Sequence, residues 1–157
     1  MEAIDLNLID NYNYLPDFLE INYSRIKNAG LGIFAKEKLP VGKFLGNYTG
    51  VMTEKIPKFT DQLYTFKTIR GGVQLLVNGG DINTSNWTRF MNCSMNDVEK
   101  NILCIRCENT NDYYLNNKKY NIEGYLMFYV ARDIEIGEEL LFDYGKKYVN
   151  YLINNKA

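Results

Sequence analysis

No histidine occurs anywhere in the 157 residues. That absence removes every Ser-His-Asp and Cys-His catalytic arrangement, because both need an imidazole to move the nucleophile's proton. Cysteine is nearly as scarce: Cys93, Cys104 and Cys107 are an odd count, which points to free thiols rather than a disulfide framework. Cys104-Ile105-Arg106-Cys107 has the spacing of half a zinc site. Without histidine only Cys93 could add a ligand, so no metal site is expected. No run approaches the ~20 apolar residues that cross a bilayer, and Met1-Glu2-Ala3-Ile4-Asp5 lacks the basic start and apolar body of a secretory signal. An intracellular chain with no membrane partner is expected. Excess charge of either sign is also missing. Lys plus Arg number 18 against 19 for Asp plus Glu, a net charge of -1, so direct nucleic-acid binding is not expected.

What the chain does hold is enough apolar residue, 46% of the total, for one domain with a real core. The patterning is mainly β. Strands are expected over Leu19 to Ile26, Gly32 to Lys36, Lys43 to Met52, Gln62 to Ile69, Val73 to Asn78, Ile102 to Glu108, Gly124 to Ala131 and Leu140 to Phe142. Turns are marked by Asn28-Ala29-Gly30, Pro40-Val41-Gly42, Arg70-Gly71-Gly72, Asn78-Gly79-Gly80 and Ile136-Gly137-Glu138, where glycine tolerates positive φ. Thr84-Ser85-Asn86 could cap a short helical turn through Trp87 to Met91, and Gly145 to Ile153 could form a closing helix. Asn109 to Asn121, with five Asn, reads as a hairpin tip or mobile loop. These patterns alone do not choose among barrel, sandwich and other compact β folds.

Two segments carry chemistry together. Asn86-Trp87-Thr88-Arg89-Phe90-Met91-Asn92-Cys93-Ser94 and Gly137-Glu138-Glu139-Leu140-Leu141-Phe142-Asp143-Tyr144-Gly145 resemble the paired signatures of SET-domain protein lysine methyltransferases. The first leans toward the PR-domain branch of that family. The resemblance covers about residues 21–148 and implies one domain over 1–157 with a short extension at 149–157. The implied fold has several small sheets, short helices and a C-terminal pseudoknot, in which the last segment passes under a loop closed by earlier strands.

The resemblance also implies a site. Gly30, Leu31 and Gly32 would lie along S-adenosyl-L-methionine, with Asn92 and the backbone of Cys93 completing the cofactor contacts. An Asn amide both donates and accepts, which suits a zwitterionic head group. Cys93 departs from the family's usual histidine, and the usual Pro-Asn continuation is missing, with either Asn96 or Asn101 taking the place of its Asn. Tyr144 and Tyr48 are the implied catalytic residues, with Tyr64, Phe66 and Phe142 along the substrate channel. Phe142, where the family alternates Phe and Tyr, implies di- or trimethylation. Arg89 reads as a fork of donors for backbone carbonyls at the chain crossing. Glu138 and Glu139 read equally as a solvated face or as contacts for a basic peptide.

The implied activity is lysine N-methylation in the nucleus, with a histone tail or another lysine-containing peptide as partner. The alternative is a PR-like interaction module with weak catalysis. The apolar residues among 146–157 suggest a possible homodimer. Minimal proteins of this family occur in viruses, so a viral source, acting in the host nucleus, is a further expectation.

Overall fold

In the computed structural model the described residues are 14–54, 64–94, 99–108 and 111–142. The chain forms two compact units. One comprises residues 1–14, 45–89 and 105–128, the other residues 15–44, 90–104 and 129–157. Twelve strands are described: β1 (Leu19–Tyr23), β2 (Leu31–Ala35), β3 (Phe44–Tyr48), β4 (Val51–Thr53), β5 (Thr65–Arg70), β6 (Val73–Asn78), β7 (Asn92–Cys93), β8 (Ile102–Arg106), β9 (Asp112–Leu115), β10 (Lys118–Asn121), β11 (Leu126–Val130) and β12 (Leu141–Phe142). They make four small sheets, in the orders β1-β2, β10-β9, β4-β6-β5 and β3-β11-β8-β12-β7.

In the first unit, β5 and β6 pair antiparallel from Thr65↔Asn78 to Arg70↔Val73. The two residues between them, Gly71 and Gly72, have φ of 57° and 76°. That is the conformation whose twist suits a two-residue hairpin. Asn116 and Asn117, at 52° and 64°, make the same turn between β9 and β10. The stretch expected as a hairpin tip or loop is therefore a complete hairpin, closed by asparagines, which tolerate positive φ.

The expected strand Lys43 to Met52 is broken in two at Thr49-Gly50. The hydroxyl of Thr49 accepts from the Asn86 backbone N–H at 2.6 Å, and a side chain at Gly50 would meet the Asn78 carbonyl. Asn86 also caps the expected short turn, a 3-10 helix over Trp87–Phe90, by accepting from the Thr88 N–H at 3.0 Å.

The second unit is built on the β1–β2 hairpin, registered from Leu19↔Ala35 to Tyr23↔Leu31. β1 stops three residues short of its expected end: the Ser24 N–H still meets the Gly30 carbonyl in register at 2.7 Å, but the next N–H groups leave the ladder, Arg25 donating to Glu139 at 2.9 Å and Ile26 to the Ser24 hydroxyl at 3.0 Å. Residues 137–140 run beside β2: Gly137 and Leu140 donate to Ala35 and Ile33, and Ala35 donates to Glu138, at 2.8, 2.8 and 3.0 Å.

β12 then pairs parallel with β7 (Leu141↔Asn92, Phe142↔Cys93) and with β8 (Phe142↔Ile102). It lies between them, as the expected crossing of the chain requires. Asn101 fixes the entry to this strand. Its amide donates to the Glu139 carbonyl at 2.9 Å and accepts from the Leu141 N–H at 2.8 Å, with the side chain buried. Asn96, the other candidate for the family's Asn, lies outside the described residues. So do Asp143, Tyr144 and the expected helix and dimer contacts of residues 145–157.

Candidate functional site

Within the second unit, the Gly30 loop, Asn92 and Glu139 come together. Gly30 is required by its backbone, with φ of 76° and nothing near the position of a Cβ. Gly32 is required by space, for a reason the sequence does not reveal. A Cβ there would run into Oε2 of Glu139 and come within 3.2 Å of Nδ2 of Asn92. Asn92 reaches the loop directly, donating from Nδ2 to the Leu31 carbonyl at 2.9 Å and to Oε2 of Glu139 at 3.1 Å.

Glu139 itself is buried and accepts from the Ser24 hydroxyl at 2.7 Å and the Arg25 N–H at 2.9 Å. Neither expected reading of this residue, solvated face or peptide contact, holds. The alternation along residues 137–140 turns it inward, while Glu138 pairs with Arg132 at 3.3 Å and accepts from the Glu135 N–H.

Cys93 is buried in β7, and its thiol donates to the Ser94 carbonyl at 3.2 Å. Its side chain is thus committed within the protein. Phe142 is among the largest fully buried side chains.

In the first unit, Tyr48, Tyr64 and Phe66 form an aromatic cluster. Tyr48 is 3% exposed, and its ring stands edge-on to Phe66 at 4.6 Å and to Phe128 at 6.4 Å. Its hydroxyl donates to the Tyr64 carbonyl at 2.7 Å, and the Gly79 N–H donates to the same oxygen at 2.9 Å. Gly79 has to be glycine here, since a Cβ would strike the Tyr48 hydroxyl and ring. Arg89 holds the neighbouring backbone, donating to the Gly79 and Gly80 carbonyls at 3.1 and 3.2 Å, with its guanidinium 4.8 Å from the Tyr64 ring centre. The fork of donors is the one expected, but the carbonyls it holds belong to the Gly79-Gly80 turn and not to the chain crossing at β12.

Among the described residues no cluster of three metal-ligating side chains occurs. Burial pushes the Cys104 thiol up to about 12, away from the thiolate form that binds metal. The structure therefore brings the expected residues together as two groups, Gly30, Leu31, Gly32 and Asn92 in one unit and Tyr48, Tyr64 and Phe66 in the other. Tyr144 lies outside the described residues. Sequence reasoning named Glu139 but not its place under the loop, and it missed Ser24 there and Gly79 against Tyr48. Only the Gly-Gly turn hinted at any of them.

The donor set fits a compact ligand with a cationic amino group. Asn92 is half-buried, both protons of its amide nitrogen are engaged, and Oδ1 remains as an acceptor beside a loop whose glycines keep it bare.

Residues 19–155 match the family described as PR domain zinc finger protein 2, PR domain. The chain is 29% identical, over 96% of its length and 49% of the relative's, to a histone-lysine N-methyltransferase of Caenorhabditis elegans, set-17. It spans about half of that relative. The methyltransferase domain of human PR domain-containing protein 2 superposes with a TM-score of 0.63 at 18% identity, covering 84% of this chain and 80% of that one. A polycomb repressive complex 2 in an autoinhibited conformation bound to S-adenosylmethionine gives 0.56 at 23% identity, covering 86% and 17%. Both structural likenesses establish the fold. The nematode and human proteins lend the expected viral source no support.

Proposed function

Because this chain belongs to the PR-domain, SET-like family of histone-lysine methyltransferase relatives, we propose that it is a protein lysine N-methyltransferase using S-adenosyl-L-methionine, active on histone tails in the nucleus. Residues 1–157 act in this reading as one SET domain. The observation that carries it is the 2.9 Å bond from Asn92 to the Leu31 carbonyl, which joins two segments 61 residues apart that the family devotes to the cofactor.

When bound, the cofactor supplies the methyl group and the positive sulfur that makes it transferable. The chain's own residues bind and orient. The backbone of Gly30, Leu31 and Gly32 and the amide of Asn92 hold the cofactor, and Cys93 adds backbone contacts. Tyr48, Tyr64 and Phe66 flank the lysine stem, whose amine must lose its proton to solvent from an unperturbed pKa of about 10.4. Apolar walls favour the neutral amine, so no protein base is needed. The Tyr144 hydroxyl then aligns the amine for in-line displacement, a contribution of geometry. Phe142 leaves room for an already methylated nitrogen, which supports di- or trimethylation.

The test is calorimetric binding of S-adenosylmethionine together with radiolabelled methyl transfer to histone octamers and mass spectrometry of the product. Transfer that falls at least about 100-fold in Tyr144→Phe, a loss of about 2.7 kcal/mol or more, supports the reading. Binding without transfer, unchanged by that substitution, would favour an interaction module. A purely monomethylated product would overturn the role of Phe142.

A further inference from the structure

Glu139 is a carboxylate with no place in the chemistry described so far, yet three separate stretches of chain converge on it. Ser24 and Arg25 enter the β1–β2 loop and donate to it, Gly32 in β2 leaves it the space a side chain would fill, and Asn92 donates to it from β7. The nearby Arg25 guanidinium is occupied elsewhere, donating to the Gly137 carbonyl at 3.0 Å and lying 5.7 Å from the Phe34 ring centre.

The consequence for Asn92 is directional. An amide can present its nitrogen or its oxygen, and the network decides which. Both neighbours of Asn92 Nδ2, the Leu31 carbonyl and Oε2 of Glu139, are oxygens that only accept. A flipped amide would set Oδ1 against both of them, one being charged. The carbonyl alone gives one neutral bond, whereas the carboxylate adds a charge-assisted one, roughly twice as strong.

We propose that Glu139 is a positioning residue that locks the Asn92 amide with its nitrogen toward Leu31 and its oxygen toward the ammonium of the bound cofactor. The inference rests on the methyltransferase reading for the identity of that ammonium. Glu139 touches no ligand itself; it acts through Asn92.

The experiment is a double-mutant cycle of cofactor affinity, read by calorimetry on wild type, Glu139→Gln, Asn92→Ala and the double variant, with side-chain amide NMR of Asn92 alongside. Gln at 139 offers its NH2 group to Nδ2 of Asn92, so Glu139→Gln should weaken binding ~10- to 100-fold, as expected for a lost hydrogen bond to a charged group. The turnover number at saturating cofactor should change less than about threefold, since alignment of the amine lies elsewhere. In the Asn92→Ala background the same substitution should cost less than about twofold, because the residue it acts through is gone. Losses that simply multiply in the double variant would overturn the proposal.

The NMR arm needs no variant to fold. In the wild type both Nδ2 protons should exchange more slowly than those of an exposed Asn, and free exchange of either would refute the lock. If the wild type binds no S-adenosylmethionine, the methyltransferase reading falls and the purpose given to the amide falls with it. If binding is intact and both Nδ2 protons are unchanged in Glu139→Gln, only the role of Glu139 falls.

Discussion

Replacing Tyr48 by Phe removes one oxygen and leaves the ring. The hydroxyl is buried, so its 2.7 Å bond to the Tyr64 carbonyl is lost without replacement by water. That carbonyl is not orphaned, because the Gly79 N–H still donates to it at 2.9 Å. The loss is therefore the net value of one hydrogen bond, about 1 kcal/mol, and not the larger penalty of an unsatisfied buried group. The edge-on contacts with Phe66 and Phe128 survive. For a chain of this size 1 kcal/mol corresponds to a drop of about 2–4 °C in Tm. Tyr48→Ala, which removes the ring too, should cost about 3–5 kcal/mol. Calorimetric melting of the two variants measures the difference. If Tyr48→Phe costs more than about 3 kcal/mol, or as much as the alanine variant, the shared-acceptor argument is wrong. In methyl transfer, Tyr48→Phe should lower kcat while leaving cofactor affinity within about twofold, because the proposed cofactor contacts are made by the Gly30 loop and Asn92.

Asn101→Ala should cost about 2–4 kcal/mol, since it leaves the buried Leu141 N–H and the Glu139 carbonyl without their side-chain partner; urea unfolding with an unchanged m-value measures it, and a loss below about 1 kcal/mol would show that the backbone finds other partners. Cys104 should react with iodoacetamide at pH 8 about 1,000-fold more slowly than a thiol of pKa 9.0, given its rise to about 12, and peptide mapping of the alkylated protein reads the ratio. The same shift predicts stability lost as pH climbs from about 9 toward 12, because the unfolded chain gives up a thiol proton that the folded one retains; Cys104→Ala should flatten that slope.

The sequence was most legible where a residue's chemistry dictates its backbone. Gly71-Gly72 and Asn28-Ala29-Gly30 announce turns, and β1, β2, β6 and β11 fall within a residue or three of their expected bounds. It was least legible where pairing decides. β7 is two residues long, too short for any periodicity, and exists because β12 lies beside it. The run Lys43 to Met52 alternates as one strand, and its break follows from the Asn86–Thr49 bond and the Asn78 carbonyl against Gly50, contacts between distant segments. The β9–β10 hairpin was hidden by asparagine, which marks loops and tight hairpin turns alike. For the site, the family resemblance brought forward the Gly30 loop, Asn92 and Tyr48. It could not separate Glu138 from Glu139, since which of two adjacent carboxylates faces inward depends on how residues 137–140 lie against β2.

The position of β12 bears on how the protein is made. Its two neighbours, β7 and β8, are synthesised some forty to fifty residues before it, and until Leu141 and Phe142 emerge each presents unpaired N–H and C=O groups toward the gap that β12 will fill. Parallel pairing across so long a separation carries a large loop-closure cost and forms slowly. The nascent chain therefore passes through a stage in which a vacant slot invites strands from other copies, and holding that slot open and clean is a natural task for a chaperone.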